Sequence, residues 1–383
     1  MKNNRKIIYF AGFLFSIPIA LSIYINSSFL ATLISEKSVG IVYALGSASS
    51  IIALILASKI FRKTGGYKFL LLITFLNALT FLSLSLVKSP VGLIIIFILG
   101  ISLNTLMGFS LDELLKIFSK DSAMGKIRGT YLSICHLAYI FAQLASGTIL
   151  GQFSFRAIYF IGFIVMMLFF FISAFSLKGM PDPEYDKMSI IKYVGKFFKN
   201  KNLLRAYSLN LLLQLFYSWM VIYTPIYLSA HMGFSWREIS IMFAIMLVPF
   251  IIIPIRLGKY ADKIGEQKIL MAGFAIASLA TLMLFFIREP IMWIWVALLF
   301  TTRIGAASIE VMSDSYFFKH IKPENEEFVG VYRTAPPLAY IIGPLVAFLI
   351  FIFIPSFNFI YPILAALMLC GLYLSSTIRK SDI

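Results

Sequence analysis

The sequence predicts an all-α polytopic membrane protein with twelve transmembrane helices, and three observations support this prediction. The 383-residue chain is 60% hydrophobic and 13% charged, whereas soluble domains carry about 25% charged residues. Its apolar runs are roughly 20 residues long, the length that a helix needs to cross about 30 Å of hydrocarbon. The runs also lack the short, alternating pattern of β-barrel strands. We therefore expect the chain to be solvated mainly by lipid.

Twelve apolar segments, called spans 1 to 12 below, are predicted to cross the membrane. The first half of the chain contains the segments 7–33, 39–58, 67–87, 91–115, 128–151 and 155–177. The second half contains the segments 203–230, 238–257, 268–288, 291–316, 328–353 and 358–378. The first segment follows the basic stretch KNNRK, as the apolar part of a signal peptide would. It is too long for such a peptide and lacks a cleavage site of small residues, so we expect it to be a span.

Positive charge is distributed unevenly along the chain, whose net charge is +16. If the N-terminus is cytoplasmic, nearly all lysines and arginines fall in the tails and connections on that side. The exceptions are Arg303, inside span 10, and five outer residues: Lys37, Lys88, Arg156, Arg237 and Arg288. Such asymmetry predicts a multi-pass protein of the cell (plasma or inner) membrane with both termini cytoplasmic. The charge thus encodes orientation, and we expect no nucleic-acid partner.

One long hydrophilic connection divides the spans into two sets of six. Residues 181–203 read PDPEYDKMSIIKYVGKFFKNKNL. An apolar stripe opposite the lysines consists of Ile190, Ile191, Val194, Phe197 and Phe198. This stripe is typical of an amphipathic helix on the cytosolic membrane surface; a plain linker and a regulatory segment both fit it. We predict an N-terminal six-helix bundle at 1–178, a cytosolic linker with an amphipathic helix at 179–202, and a C-terminal six-helix bundle at 203–383.

Two sequence repeats relate the halves to each other. SKIFRKTGGYK at 58–68 lies 200 residues before GKYADKIGEQK at 258–268, and each stretch joins the second and third spans of its half. A Gly-x-Tyr motif followed by LAYI occupies 129–140 and returns 201 residues later at 330–341. The nearly equal offsets indicate a duplicated six-helix unit. Duplicated units with a substrate site at their interface are a recurring plan among transporters.

The later loop resembles the loop signature of the major facilitator superfamily. Its pattern G-x-x-A-D-K-x-G-x-x-K consists of Gly258, Ala261, Asp262, Lys263, Gly265 and Lys268. The family shows this signature most clearly between spans 2 and 3, where this sequence has Arg62 in place of the aspartate. The span count, the half-repeat and the central linker extend the resemblance over the whole chain. It implies two pseudo-symmetric six-helix bundles and secondary transport by alternating access.

The resemblance also implies a gating role for this loop. Its glycines permit a tight turn, and Asp262 would sit at a helix N-terminus, where a carboxylate is favoured. Lys263, Lys268 and, by analogy with the family, Arg333 would hold Asp262 charged, and Asp314 would complete the ion network. In the family such a network holds the cytosolic helix ends together in the outward-facing state. A turn that only sets topology and caps a helix is the alternative.

Span 10 carries ionisable residues where they are costly. Each such group deep in a membrane costs at least about 2.5–3.5 kcal/mol and suggests function. Arg303, Glu310 and Asp314 share one helical face, and by family resemblance spans 1, 4, 7 and 10 line a central cavity. Arg303 could bind an anionic substrate group, and Glu310 could carry a proton. Alternatively the two form a static ion pair, although seven residues separate them by about 10 Å of rise.

Other polar residues in the spans are candidates for the same site. For substrate binding they are Asn104, His136, Gln143, Asn210, Gln214 and Tyr217, and for proton coupling Asp112 and Glu113. Each of them could equally bond across a helix interface, for about 0.6–2 kcal/mol. We expect no cofactor and no metal, since no metal-ligand cluster and no phosphate-binding GxxxxGK[ST] loop are present.

The sequence therefore predicts a secondary active transporter of a small solute, coupled to protons and working by alternating access as a monomer in the bilayer. The cation at mid-membrane favours a substrate with an anionic or hydroxylated part. A facilitator without coupling and a transporter-like receptor are alternatives. An intramembrane enzyme acting on a lipid-linked substrate would need clustered catalytic residues at one membrane face. We therefore expect no enzymatic activity.

Overall fold

The computed structural model describes residues 2–117, 124–179, 190–254, 257, 265–321, 327–354 and 356–378. These residues form helices and connecting turns, with no β-strand among them. The helices of the first half are α1 (Lys2–Ile23), α2 (Asn26–Ala31), α3 (Val39–Thr64), α4 (Gly66–Leu86), α5 (Pro90–Ile117), α6 (Met124–Gln152) and α7 (Phe155–Ser176). The following helices are α8 (Ile190–Lys199), α9 (Lys201–Ile226), α10 (Trp236–Met246), α11 (Glu266–Phe286), α12 (Met292–Lys319), α13 (Glu327–Tyr332), α14 (Ala335–Phe353) and α15 (Ile360–Ser376).

Twelve helical segments of the described chain are long and apolar enough to cross a membrane, which confirms the predicted number. They carry large apolar side chains on their surfaces, among them Phe175 and Phe353, each 82% exposed. A soluble monomer rarely exposes apolar surface on this scale, because water solvates it poorly. The chain is therefore an all-α, multi-pass membrane protein.

Prolines interrupt several of these segments. Span 11 consists of α13 and α14, which are separated at residues 333–334 just before Pro336 and Pro337. Span 8 breaks after α10, and its helical backbone resumes at residues 249–254, starting at Pro249. Proline lacks the N–H that an α-helix needs and clashes with the preceding turn, which explains these breaks. Pro225 lies near the end of α9 and is followed by a π-helical turn, Tyr227–His231.

Contacts divide the chain into two compact units. Unit 1 comprises Met1–Asp186 with Ser235–Ala244, and unit 2 comprises Lys187–Phe234 with Ile245–Ile383. In unit 1, α1, α6 and α7 meet around a core of fully or nearly buried apolar side chains. These are Ala20, Leu21, Ile25, Ala142 and Ile158.

In unit 2, two glycines bring α11 and α12 into close contact. A Cβ on Gly305 would lie 2.5 Å from the carbonyl oxygen of Gly273 and 2.7 Å from the amide nitrogen of Ala277. Gly305 therefore requires the smallest residue, and a Cβ on Gly273 would be tightly packed, 3.0 Å from the carbonyl oxygen of Gly305. Small residues at helix interfaces are the usual means of close packing in membranes, where no hydrophobic effect drives helices together.

The linker helix α8 belongs to unit 2. Its Phe197 is fully buried, with ring centroids 5.9 Å from Tyr207, 6.2 Å from Phe317 and 5.7 Å from Phe328. The sequence predicted that the apolar stripe lies on the membrane surface, which is wrong for Phe197 because other aromatic rings of the protein cover it. The stripe showed that one face is apolar, but it could not show what covers that face.

A hydrogen bond also connects α8 with the start of span 11. The hydroxyl of Tyr193 bonds to the carboxylate of Glu327. This bond and the adjacent negative charge raise the pKa of Tyr193, so the phenol stays protonated and donates. Asn200 then caps α9, because its side-chain oxygen accepts from the backbone N–H of Asn202 and Leu203. The hydrogen bond of Tyr193 thus holds α8, and the cap of Asn200 holds the start of α9.

Candidate functional site

The candidate site in unit 2 is built around Arg303, near the middle of α12. Its side chain is 1% exposed. The guanidinium carbon lies 5.3 Å from the ring centroid of Phe216 and 5.6 Å from that of Tyr217, both on α9. Cations within about 6 Å of an aromatic face are attracted by the electrons of the ring, more strongly when water is excluded. Two adjacent residues of α9 therefore position the guanidinium.

Two nitrogen atoms of Arg303 lack a hydrogen-bond acceptor. Its Nε and Nη1 atoms are buried and have no hydrogen-bond partner in the structure. Glu310 is the next acidic residue along α12, and within the described chain no ion pair of 4.0 Å or less joins it to Arg303. The two residues thus form no direct ion pair, although Arg303 is near enough to act electrostatically on the Glu310 carboxylate. Leaving two buried N–H donors without an acceptor is costly, and a role of Arg303 in substrate binding stays a prediction.

Glu310 is held from α9 by Tyr217. The phenol hydroxyl donates a hydrogen bond of 2.7 Å to Oε2 of Glu310. Tyr217 thus contacts both ionisable residues, with its ring facing Arg303 and its hydroxyl bonded to Glu310. The sequence placed all three residues on polar faces of spans 7 and 10. It did not pair Tyr217 with Glu310, and it missed Phe216, which looked like an ordinary apolar residue.

The other polar residues predicted on span 7 bond to each other. Gln214 donates through Nε2 to Oδ1 of Asn210 at 3.3 Å, one turn away on α9. Asn210 is 7% exposed and Gln214 is half-buried. Their proposed contact with a substrate stays a prediction.

In unit 1, two of the predicted substrate-binding residues, Asn104 and Gln143, bond across helix–helix contacts. Oδ1 of Asn104 on α5 accepts a 2.7 Å hydrogen bond from Nδ2 of Asn77 on α4. The Gln143 side chain on α6 donates to the carbonyl oxygen of Ala20 on α1. His136 is half-buried, with its ring centroid 6.4 Å from that of Tyr139. A role of these residues in substrate binding stays a prediction.

The two acidic candidates of span 4 lie near the end of α5. Glu113 is 8% exposed and Asp112 is half-buried. Asp112 is close enough to Tyr131 of α6 for its charge to act on the phenol. Both carboxylates have interactions in the structure, and their role in proton coupling stays a prediction.

The proposed gating motif is described only in part. Gly258, Asp262 and Lys263 lie outside the described residues. Gly265 has φ +85° and ψ 144°, a conformation that only glycine adopts readily, and it precedes α11 directly. Lys268 is exposed.

The two remaining residues of the predicted ion network, Asp314 on α12 and Arg333 just after α13, are exposed. Oδ1 of Asp314 accepts a 2.9 Å hydrogen bond from the hydroxyl of Tyr332. Arg333 follows Tyr332 directly and is likewise exposed. The gating role of these residues stays a prediction.

The sequence missed a buried carboxylate inside the motif, Glu266. This residue is 1% exposed, and its Oε1 accepts from Ser315 Oγ at 2.5 Å and pairs with Lys319 Nζ at 3.0 Å. The contacts connect the start of α11 with the end of α12. Glu266 was recognisable only as the first helical residue after Gly265, because both of its partners come from another helix.

Comparison with known proteins decides the family. A family model described as "Major Facilitator Superfamily" matches residues 8–344, most of the chain. The chain belongs to the major facilitator superfamily. This confirms the resemblance carried by the 258–268 loop, and it makes the protein a transporter rather than an enzyme. No curated protein matches the sequence of this superfamily member.

Solved structures of superfamily transporters share its fold. The nucleoside transporter NupG is 13% identical with a TM-score of 0.75, and the match covers 98% of this chain and 100% of NupG. The POT family transporter PepTSo is 12% identical with a TM-score of 0.79, and the match covers 100% of this chain and 98% of PepTSo. A bacterial homologue of the human lysosomal transporter Spinster is 11% identical with a TM-score of 0.71, and the match covers 98% of this chain and 94% of the homologue. At this identity the likeness concerns the fold alone.

Proposed function

We propose that this transporter is a proton-coupled secondary active transporter of small solutes that carry an anionic group. Arg303 would anchor the anionic group, and Glu310 would carry the proton. The observation that supports the anchor is the buried guanidinium with Nε and Nη1 unpartnered. A carboxylate or phosphate would supply the missing acceptors, and charge-assisted hydrogen bonds to a guanidinium are among the strongest available to a protein.

Coupling between substrate and proton is supported by the position of Tyr217. Its ring faces Arg303 and its hydroxyl bonds to Glu310, so a substrate beside Arg303 approaches the same tyrosine that holds the carboxylate. Charges interact strongly where water is excluded. An anion at Arg303 therefore favours the protonated, neutral form of Glu310. Substrate and proton would then move together by alternating access.

The remaining predictions fit this proposal. The protein would be a monomer in the cell membrane with both termini cytoplasmic, as the distribution of lysine and arginine indicates. Asn210 lies about two turns and Gln214 about one turn before Tyr217 on α9, and both would contribute selectivity. Small solutes, protons and the bilayer would be its partners, without nucleic acid.

A facilitator without proton coupling is the second candidate. The hydrogen bond from Tyr217 already satisfies Oε2 of Glu310, which favours a carboxylate that stabilises the contact between α9 and α12 and never changes protonation. The two candidates agree on Arg303 and differ only in what Glu310 does during transport.

The first test is a ligand screen on the purified, full-length protein. Thermal unfolding would be measured against pairs of metabolites that differ in one anionic group, such as an acid and its amide. We expect the charged member of a pair to raise the unfolding temperature of the wild type but not of Arg303→Ala.

The matched control is Arg288→Ala. Arg288 also lies over an aromatic ring, 5.5 Å from the centroid of Phe285, but it is exposed. This variant should respond to ligands as the wild type does. Stabilisation by neutral and cationic compounds alone would contradict the anionic substrate class.

A further inference from the structure

The linker helix α8 and the start of α9 form a surface outside the candidate site, which we call the basic ledge. Three lysines of this ledge, Lys196, Lys199 and Lys201, are exposed. On α8, Lys196 and Lys199 lie three residues apart, so they occupy one stripe of the helix. The stripe lies opposite the buried Phe197.

The basic ledge is held in place by unit 2. Phe197 is fully buried among Tyr207, Phe317 and Phe328, and the Tyr193–Glu327 hydrogen bond ties α8 to α13. With the inner face occupied, the lysine stripe must point outward. Fixing the lysines in advance lowers the entropic cost of binding a ligand.

The ledge carries positive charge that its own sequence does not balance. Residues 190–226 contain no aspartate or glutamate. They include four lysines and Arg205, all within the first 16 positions, immediately before span 7 enters its apolar stretch. The charges therefore gather at one end of a span, where lipid headgroups would lie.

Two apolar side chains next to the lysines are exposed. Phe198 is 37% exposed and Leu204 is 41% exposed. Exposed aromatic and aliphatic residues beside lysines are typical of helices that insert shallowly at a membrane interface. A ligand for this ledge should thus offer both negative charge and acyl chains.

We propose that the basic ledge binds anionic phospholipid through the phosphodiester headgroup. The lysines would contact the headgroup phosphate, while Phe198 and Leu204 would contact the first carbons of the acyl chains. Clusters of four or more basic residues beside a membrane-spanning helix have this affinity for anionic lipid. The lipid would stabilise α8 against α13, and so the inner ends of α9, α12 and span 11. This inference does not depend on what Arg303 or Glu310 does.

The test compares two lipids on the full-length protein in neutral detergent. Short-chain phosphatidylglycerol and phosphatidylcholine of equal chain length would be titrated, and bound lipid measured by native mass spectrometry. Each lysine near an anionic surface contributes about fivefold in affinity. We expect phosphatidylglycerol to bind the wild type at least about tenfold more tightly than phosphatidylcholine.

Variants decide whether the ledge is responsible. The triple variant Lys196→Ala/Lys199→Ala/Lys201→Ala should lose the preference, and the corresponding arginine triple should keep it. Lys63→Ala/Lys68→Ala is the control, because these lysines are also exposed and lie where α3 ends and α4 begins, in unit 1. It should retain the preference.

Three results would overturn the proposal. The wild type could bind both lipids equally, the alanine triple could keep the preference, or the Lys63/Lys68 control could lose it as well. Displacement of the lipid by millimolar inorganic phosphate at constant ionic strength would show a site for free anions, and would also refute the lipid assignment.

Discussion

Buried amides in unit 1 and the buried guanidinium in unit 2 differ in whether their N–H groups have hydrogen-bond acceptors. In unit 1, Asn77 donates to Asn104 between α4 and α5, and Gln143 donates to a backbone carbonyl of α1. In unit 2, the equally buried Arg303 has aromatic rings around it, and two of its nitrogen atoms have no acceptor. Neutral amides that bond across helices stabilise packing, whereas buried N–H donors of a charged group without an acceptor cost stability and suggest a functional role.

From this difference we expect effects on stability in unit 1 and effects on transport in unit 2. Substitutions at the unit 1 amides should change stability more than transport. Substitutions at the unit 2 charges should change transport more than stability. The predictions below test that division, starting with the largest expected effect.

Arg303→Ala should reduce transport of an anionic substrate about 100-fold, because hydrogen bonds to charged groups contribute about 1.5–3 kcal/mol. The variant should fold at least as stably as the wild type, since an unpaired buried charge is removed. Uptake into proteoliposomes and thermal unfolding would be measured together, with Arg288→Ala as the control. Transport at the wild-type rate would place the substrate elsewhere.

Glu310→Gln should reduce substrate accumulation driven by a pH gradient about tenfold, while exchange of substrate across the membrane continues. Glutamine keeps an oxygen that accepts from Tyr217 but cannot bind or release a proton. The measurement is accumulation against exchange in the same proteoliposomes, with and without the gradient. If gradient-driven accumulation is unchanged, Glu310 is not the carrier and the uncoupled facilitator is favoured.

Asn104→Ala should lower the stability of unit 1 by about 0.6–1.7 kcal/mol, the measured range for hydrogen bonds between membrane helices. Transport should change less than about threefold, because this bond stabilises the packing of two helices and does not contact the proposed substrate site. Thermal unfolding and uptake would be compared with Asn77→Ala, which removes the other partner of the same bond. A loss of transport in Asn104→Ala alone would extend the substrate site to unit 1.

Tyr332→Phe should have the smallest effect, about 0.5 kcal/mol or less on stability. It removes the hydroxyl that donates to Asp314, but this carboxylate is exposed and water can replace the bond. Unfolding of the variant and of Asp314→Asn would be recorded in parallel. A marked loss of transport in both variants would instead support the predicted ion network at the end of α12.

Much of the fold could be predicted from the sequence, because span length and hydropathy are local properties. All twelve spans were found, and Arg303, Glu310 and Asp314 were placed on one face of span 10 from helical spacing alone. The contacts of that face were not predictable. The pairing of Tyr217 with Glu310 depends on how α9 and α12 are rotated against each other, and no local pattern encodes that rotation.

The same reason explains the correction at Phe197 and the failure to find Glu266. The apolar stripe of α8 identified an apolar face, but lipid and protein are equally apolar, so the pattern could not show which of them covers Phe197. Glu266 lay within the motif that drew attention to the loop. Its burial arises from Ser315 and Lys319, about 50 residues later in the sequence.

The close approach of Gly273 and Gly305 has a mechanical consequence for this transporter. Two helices whose backbones are in contact, without intervening side chains, have little room to slide past each other. We therefore expect α11 and α12 to move as one rigid unit. Arg303 lies on α12 two residues before Gly305, and Gly265 directly precedes α11. If α12 tilts during transport, α11 should therefore tilt with it.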